Sequence, residues 1–336
     1  MAVVHQVRLS RDFSIFTSCG DDGFRIFNVD PLSQMAHFTE DQLGDKILKA
    51  EILNRSNLVA LVPKSCDYAV KLWNCEQERF EAEVTFDYEV TNIKFHFDRL
   101  IIATRTAIYL FSYTPQLVKK YSYDTRPNPW GVMTVNSGPT AQILAFPGVA
   151  KIGTVQVEDV RRATSISNIS AHEHELACVT LNSDGSKIAT ASKHGTLVRL
   201  FSVRDGRQLL ELRRGSNTAL VYSLNFSADS SFLCAASDKG TVHIFAVLNS
   251  SLNRKSAFEN VAGMLTSYNQ SQWGVSSFTV PAEMACVCCF VANKRASVVV
   301  IGVDGSYHLY SFVPDASTCR SEVFEKYIEL GDSMEM

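Results

Sequence analysis

Two short polar sets in this sequence carry residue types suited to holding an anion. Ser192, Thr196 and Arg199 form the first, and Ser237, Thr241 and His243 repeat it one period later. Each set offers hydroxyl donors beside a basic or imidazole side chain, the groups that phosphate oxygens accept from. Between them stands Leu212-Arg213-Arg214-Gly215. If "LLELRR" is a strand, successive side chains leave on opposite faces. Arg213 then joins the first set and Arg214 the second, and Gly215 lets the chain turn sharply after them. Two weak pockets that engage one surface together reinforce each other. The plainer reading also stands: Ser, Thr and His at such positions form internal hydrogen-bond networks, and arginines on edge strands are solvated.

These residues need strands to position them, and the sequence supplies strands at a fixed period. A small or turn residue followed by alternating apolar residues recurs as "GFRIFNV" (23–29), "YAVKLWN" (68–74), "TAIYLFS" (106–112), "GTVQV" (153–157), "GTLVRLFSV" (195–203), "GTVHIFAV" (240–247) and "GSYHLYSF" (305–312). Six of the seven follow a second β-like run across Asp, Asn, Gly and Ser turn residues; blade four, "AQILAFPGVAKIG", is looser. Five of the six gaps between these hairpins, roughly 40–47 residues, match four-stranded propeller blades, and no helical pattern separates them. The expected fold is all-β, a single seven-bladed β-propeller of WD40-like four-stranded blades over residues 1–336. The Trp-Asp and Gly-His signatures of the commonest repeat are absent, and Ala171-His172 is the nearest remnant. "LLELRR" is expected as the outer strand of blade five, and the extra residue after Gly195-Thr196 as a bulge. Blade one opens near residue 3, and 321–330 can supply the last outer strand, so the termini need not share a blade.

The gap from Gly240 to Gly305 is longer than the period and leaves an insertion within blade six, at about 249–272. Phe258, Val261, Ala262 and Leu265 fall on one apolar helical face, with Arg254 and Lys255 just ahead. The segment either packs back on its blade or dips into a membrane interface.

Net charge is −3, so no global field draws the chain to nucleic acid, and any anion site must be local. Nine scattered cysteines without a secretory signal read as reduced thiols of a cytoplasmic protein. No apolar run approaches the roughly 20 residues of a spanning helix. "HEH" (172–174) reads as a polar turn and "CVCC" (286–289) as a buried strand, so neither a metal nor a cofactor is expected. No nucleophile elbow or phosphate loop is present, and no catalytic residue is assigned.

With these residues in place the sequence resembles the PROPPINs, seven-bladed propellers that bind phosphoinositides in autophagy, and most of all the WIPI-type WD repeat protein 45 subgroup. The hallmark is Leu212-Arg213-Arg214-Gly215, supported by "SDKGTVHIFA", "SQW" and "DTRPNPWG". The resemblance implies a non-enzymatic peripheral membrane effector with two sites near the rim for phosphatidylinositol 3-phosphate and the 3,5-bisphosphate. By motif match, Ser192, Thr196, Arg199, Arg213 and, more weakly, His172 make the first; Arg214, Ser237, Thr241 and His243 make the second. It implies a membrane loop in blade six, with Phe258, Val261 and Leu265 as its apolar residues. It also implies a monomer recruited to preautophagosomal and endosomal membranes, and a partner, the autophagic lipid-transfer bridge protein, met through early blades with Asp12 as a contact. The rival reading is a scaffold whose arginine pair meets acidic or phosphorylated protein segments.

Overall fold

The computed structural model describes residues 3–114, 116–254, 271–281, 284–292, 294, 296–314 and 318–330. Among them the chain forms seven sheets, six of four antiparallel strands and one of four with a fifth added in parallel. The first is β1 (Val4–Leu9), β2 (Ile15–Gly20), β3 (Gly23–Asn28) and β4 (Ser33–Phe38). The second is β5 (Ile47–Ile52), β6 (Leu58–Pro63), β7 (Ala69–Asn74) and β8 (Arg79–Thr85). The third is β9 (Val90–His96), β10 (Arg99–Thr104), β11 (Ala107–Ser112) and β12 (Val118–Asp124). The fourth is β13 (Thr134–Val135), β14 (Ile143–Pro147), β15 (Thr154–Asp159) and β16 (Thr164–Ser170). The fifth is β17 (Leu176–Leu181), β18 (Lys187–Ser192), β19 (Leu197–Ser202) and β20 (Gln208–Arg213). The sixth is β21 (Val221–Phe226), β22 (Phe232–Ser237), β23 (Thr241–Ala246) and β25 (Ser276–Thr279), with β24 (Gln272–Trp273) lying between the last two in sequence. The seventh is β26 (Cys286–Phe290), β27 (Ser297–Gly302), β28 (Ser306–Val313) and β29 (Thr318–Lys326). This is a seven-bladed β-propeller. Each blade comes from one contiguous stretch, and β1 and β29 belong to different sheets.

The repeated pattern of the sequence becomes the second and third strands of each blade. In blade five β18 is buried from Ile188 to Ser192, while the fourth strand passes from exposed Gln208 to buried Leu212 and Arg213. The run expected to be loose in blade four forms the five-residue strand Ile143–Pro147, and the short element of that blade is its first strand, Thr134–Val135.

By packing, the chain divides into two compact units: residues 1–132 with 301–307 and 324–336, and residues 133–300 with 308–323. The first unit has a core that includes Ile15, Phe24, Phe38, Ile47, Leu61 and Trp73. The second holds Val198, Leu200, Leu212, Val221, Leu224 and Phe245 in one cluster. All the residues assigned to the two anion sets lie in this second unit.

Blade five departs from the expected count. A fifth strand, β24, pairs in parallel outside β20, with Leu212 opposite Gln272 and Arg213 opposite Trp273. "LLELRR" is therefore the fourth strand but not the edge, because the crossover from β23 to β25 runs back along it. The expected bulge is also absent: β18 and β19 pair without a register shift. The extra residue sits instead in the turn, residues 193–196, where blade six uses 238–240. The apolar loop residues Phe258, Val261 and Leu265 lie outside the described residues.

Candidate anion sites at blades five and six

Strand pairing separates the two arginines. Across β19 and β20, Arg199 is opposite Glu211 and Leu197 is opposite Arg213. Alternation puts Arg199, Glu211 and Arg213 on one face and Leu212 on the other, where it is fully buried in the cluster with Val221 and Leu224. Arg214 lies one residue beyond β20, and its guanidinium reaches the turn before β19 and the charges of blade six.

The first set is strongly pre-organised. Arg199 donates through Nε to Glu211 Oε2 at 3.0 Å and through one η nitrogen to the Ala171 carbonyl at 2.8 Å. Arg213, only 7% exposed, donates from Nε to Ser271 Oγ at 2.7 Å, so the returning crossover holds it in place. The His172 ring sits 2.9 Å from Thr190 Oγ1, and that hydroxyl donates to the Arg199 carbonyl at 3.3 Å. Ser192 is buried at the end of β18. Thr196 lies in the turn outside the strand, and its carbonyl accepts the Arg214 backbone N–H at 2.9 Å.

The second set is less complete internally. Arg214 is 6% exposed. Its Nε donates to the Gly195 carbonyl at 2.9 Å, and an η nitrogen donates to the Asn217 carbonyl. Among the described residues no carboxylate lies within ion-pair distance of it; burial lowers its pKa against the longer-range pull of Asp238. The Ser237 hydroxyl is buried and has no hydrogen-bond partner among the described residues. Thr241 opens β23, with its hydroxyl 3.5 Å from the Lys239 carbonyl. His243 sits opposite Ala235 across β22 and β23, the register position that Arg199 holds opposite Thr190 in blade five.

Both imidazoles are neutral at physiological pH. Burial pushes His172 down to about 4, helped by the charge of Arg199. Burial pushes His243 down to about 4 as well, helped by Arg214 and Arg254. Desolvation and the neighbouring guanidiniums keep both rings deprotonated.

The turn glycines differ in what they do. Gly195 has φ +65, and a Cβ there would lie 1.7 Å from the Ala219 carbonyl oxygen, so only glycine brings its own carbonyl up to Arg214. Gly215, expected as a sharp-turn residue, has ordinary backbone geometry and open space around a Cβ.

Sequence reading missed Thr190, Glu211, Asp238, Arg254 and Ser271. The hairpin register was enough to find Glu211 opposite Arg199. Nothing local announces Ser271, whose bond to Arg213 spans the first three strands of blade six and most of the crossover. Elsewhere, Asp12 Oδ1 accepts from Ser10 Oγ at 2.7 Å and from Ser14 N and Oγ at 3.2 and 2.9 Å, an aspartate that holds its own turn. "CVCC" is the buried strand β26, and His174 of "HEH" stacks on His194.

Comparison with known proteins completes the description. Residues 6–271 match the PROPPIN family model. Autophagy-related protein 18 of Aspergillus terreus is 31% identical over 295 residues, 80% of this chain and 69% of that protein. Autophagy-related protein 18e of Arabidopsis thaliana is 30% identical, over 93% of this chain and 85% of its own. The chain spans 62% of the length of the Aspergillus oryzae relative. Among solved structures, Hsv2 of Kluyveromyces marxianus aligns with a TM-score of 0.78 at 20% identity, over 97% of this chain and 99% of that one. A complex of Atg21 with the coiled coil of Atg16 aligns equally well, TM-score 0.78 at 19% identity, over 97% and 99% of the two chains.

Proposed function

The chain belongs to the PROPPIN family of autophagy-related, phosphoinositide-binding propellers, and from that premise we propose that blades five and six carry two separate sites for 3-phosphorylated phosphoinositide headgroups. Arg213 with Arg199, Ser192, Thr196 and His172 serves the first. Arg214 with Ser237, Thr241 and His243 serves the second. The observation that carries this reading is the state of Arg214: a residue 6% exposed, its guanidinium held by two carbonyls and facing no carboxylate at ion-pair distance among the described residues. A buried cation with only neutral partners favours an incoming anion, because its desolvation has already been met by the fold. The partnerless Ser237 hydroxyl adds a donor of the right kind.

In this reading the protein is a peripheral effector. Among the described residues no helix is long and apolar enough to cross a membrane. Phosphatidylinositol 3-phosphate and the 3,5-bisphosphate are the proposed ligands, on preautophagosomal and endosomal membranes. A lipid-transfer bridge protein is the proposed partner, recruited through early blades near the Asp12 turn. The resemblance of "ELRRG" and its flanks supports both.

Liposome flotation tests the reading. Wild-type protein should float with vesicles containing phosphatidylinositol 3-phosphate and stay behind with phosphatidylcholine alone. Arg213→Ala with Arg214→Ala should remain in the soluble fraction. Undiminished flotation of that variant would overturn the lipid reading and favour a surface for acidic or phosphorylated protein segments.

A further inference from the structure

Resting on the two-site reading, we infer that Arg254 is a further ligand-binding residue, the second cation of the second anion site, delivered by the base of the blade-six crossover. The two sites are otherwise unequal. Blade five holds Arg213 and Arg199 on one face, with Glu211 paired to Arg199. At the register position of Arg199, blade six holds His243. Without another cation the second site has Arg214 alone, set against the charge of Asp238.

The crossover supplies what is missing. Arg254 and Trp273 form an antiparallel bridge, with Arg254 N donating to the Trp273 carbonyl at 3.1 Å and Trp273 N donating back at 2.8 Å. Trp273 is in turn opposite Arg213, so Arg254 is fixed beyond β24 on the outer margin of the blade-five sheet. Its Nε donates to the Gly274 carbonyl at 3.2 Å, which sets the plane of the guanidinium. The two η nitrogens have no hydrogen-bond partner among the described residues. The side chain is exposed, yet its charge acts on His243 together with that of Arg214. Two guanidinium charges therefore act on one neutral imidazole, and Asn253 ties the segment that carries Arg254 to the strand that carries that imidazole. That is a site for a doubly charged oxyanion, and an arginine with a tethered Nε presents its remaining donors in a fixed fork.

Asn253 secures the position. It accepts from Ala246 N at 2.8 Å and donates to the Ala246 carbonyl and to Gln272 Oε1, each at 2.8 Å. The segment that carries Arg254 is thereby tied to β23, the strand that carries Thr241 and His243.

The test titrates soluble inositol 1,3-bisphosphate, by calorimetry, into variants that each keep one site. In an Arg213→Ala background, which retains the second site, Arg254→Gln should weaken binding about tenfold, and Arg254→Lys should recover part of the loss. In an Arg214→Ala background, which retains the first, Arg254→Gln should change affinity less than twofold. Unchanged affinity in both backgrounds overturns the assignment. An equal loss in both also overturns it, since it marks Arg254 as a support for the crossover and Arg213. Absence of binding in the Arg213→Ala background without any Arg254 change overturns the two-site reading itself, a separate outcome.

Discussion

At the residue scale, the chemistry of both sites is governed by desolvation. His172 and His243 are pushed down to about 4 by burial and by the guanidiniums beside them. Their folded-state values lie below the unfolded one of about 6.5, so the stability they contribute is present above that pH and is lost as pH falls toward 4. An anion seated beside them acts in the opposite sense. It raises the bound-state pKa, so binding takes up protons and tightens as pH falls, by at most about tenfold per pH unit for each proton. Melting curves from pH 7 to 5, with and without inositol 1,3-bisphosphate, should show a falling apo Tm and a growing ligand-induced increment. His243→Gln should flatten part of that increment, and a pH-independent increment in wild type would contradict the account. The neutral state of these rings was not legible in the sequence, because it depends on Arg199, Arg214 and Arg254 arriving from other segments. The residue types were legible: hydroxyls, guanidiniums and imidazoles recur at equivalent positions of two blades, and both arginines are buried together in the second unit.

At the scale of elements, the hairpin period revealed the seven blades because each is a local, consecutive structure. What it missed is non-local. Strand β24 has only two residues and pairs in parallel with a strand from the preceding blade, so neither alternation nor turn chemistry announces it. The extra residue before β19 was legible as an insertion but not as a turn residue, since only pairing places it. The crossover base is a designed junction in energetic terms. Asn253 is buried and makes three side-chain bonds that stand in for strand pairing. Asn253→Ala should cost about 2 kcal/mol, because it leaves buried backbone groups of Ala246 without partners. Urea unfolding measures this directly. A loss below a few tenths of a kcal/mol would mean that the junction is not held by this side chain. The same variant should weaken headgroup binding at the second site more than at the first, since Arg254 follows Asn253 directly.

At the scale of the whole molecule, the proposed function has the propeller turn a local sequence feature into two anion sites. Adjacent arginines are awkward for a single patch, yet Arg213 ends β20 and bonds Ser271, while Arg214 lies one residue beyond it and bonds the Gly195 carbonyl. In the proposed function each serves a hydroxyl set that the repeat has duplicated. The family resemblance was legible across the chain because "ELRRG" sits within matching blade-five and blade-six hairpins, and the PROPPIN match over residues 6–271 agrees with it. Two modest sites presented together gain through effective concentration on a membrane, so function at the bilayer should depend on both while each works alone in solution. Calorimetric titration with soluble inositol 1,3-bisphosphate examines this most directly. The account predicts a stoichiometry of about two for wild type, about one for Arg213→Ala and for Arg214→Ala, and none for the double variant, following the one-arginine-per-site geometry of alternation. A stoichiometry of one in wild type, or the loss of all binding in either single variant, would contradict it.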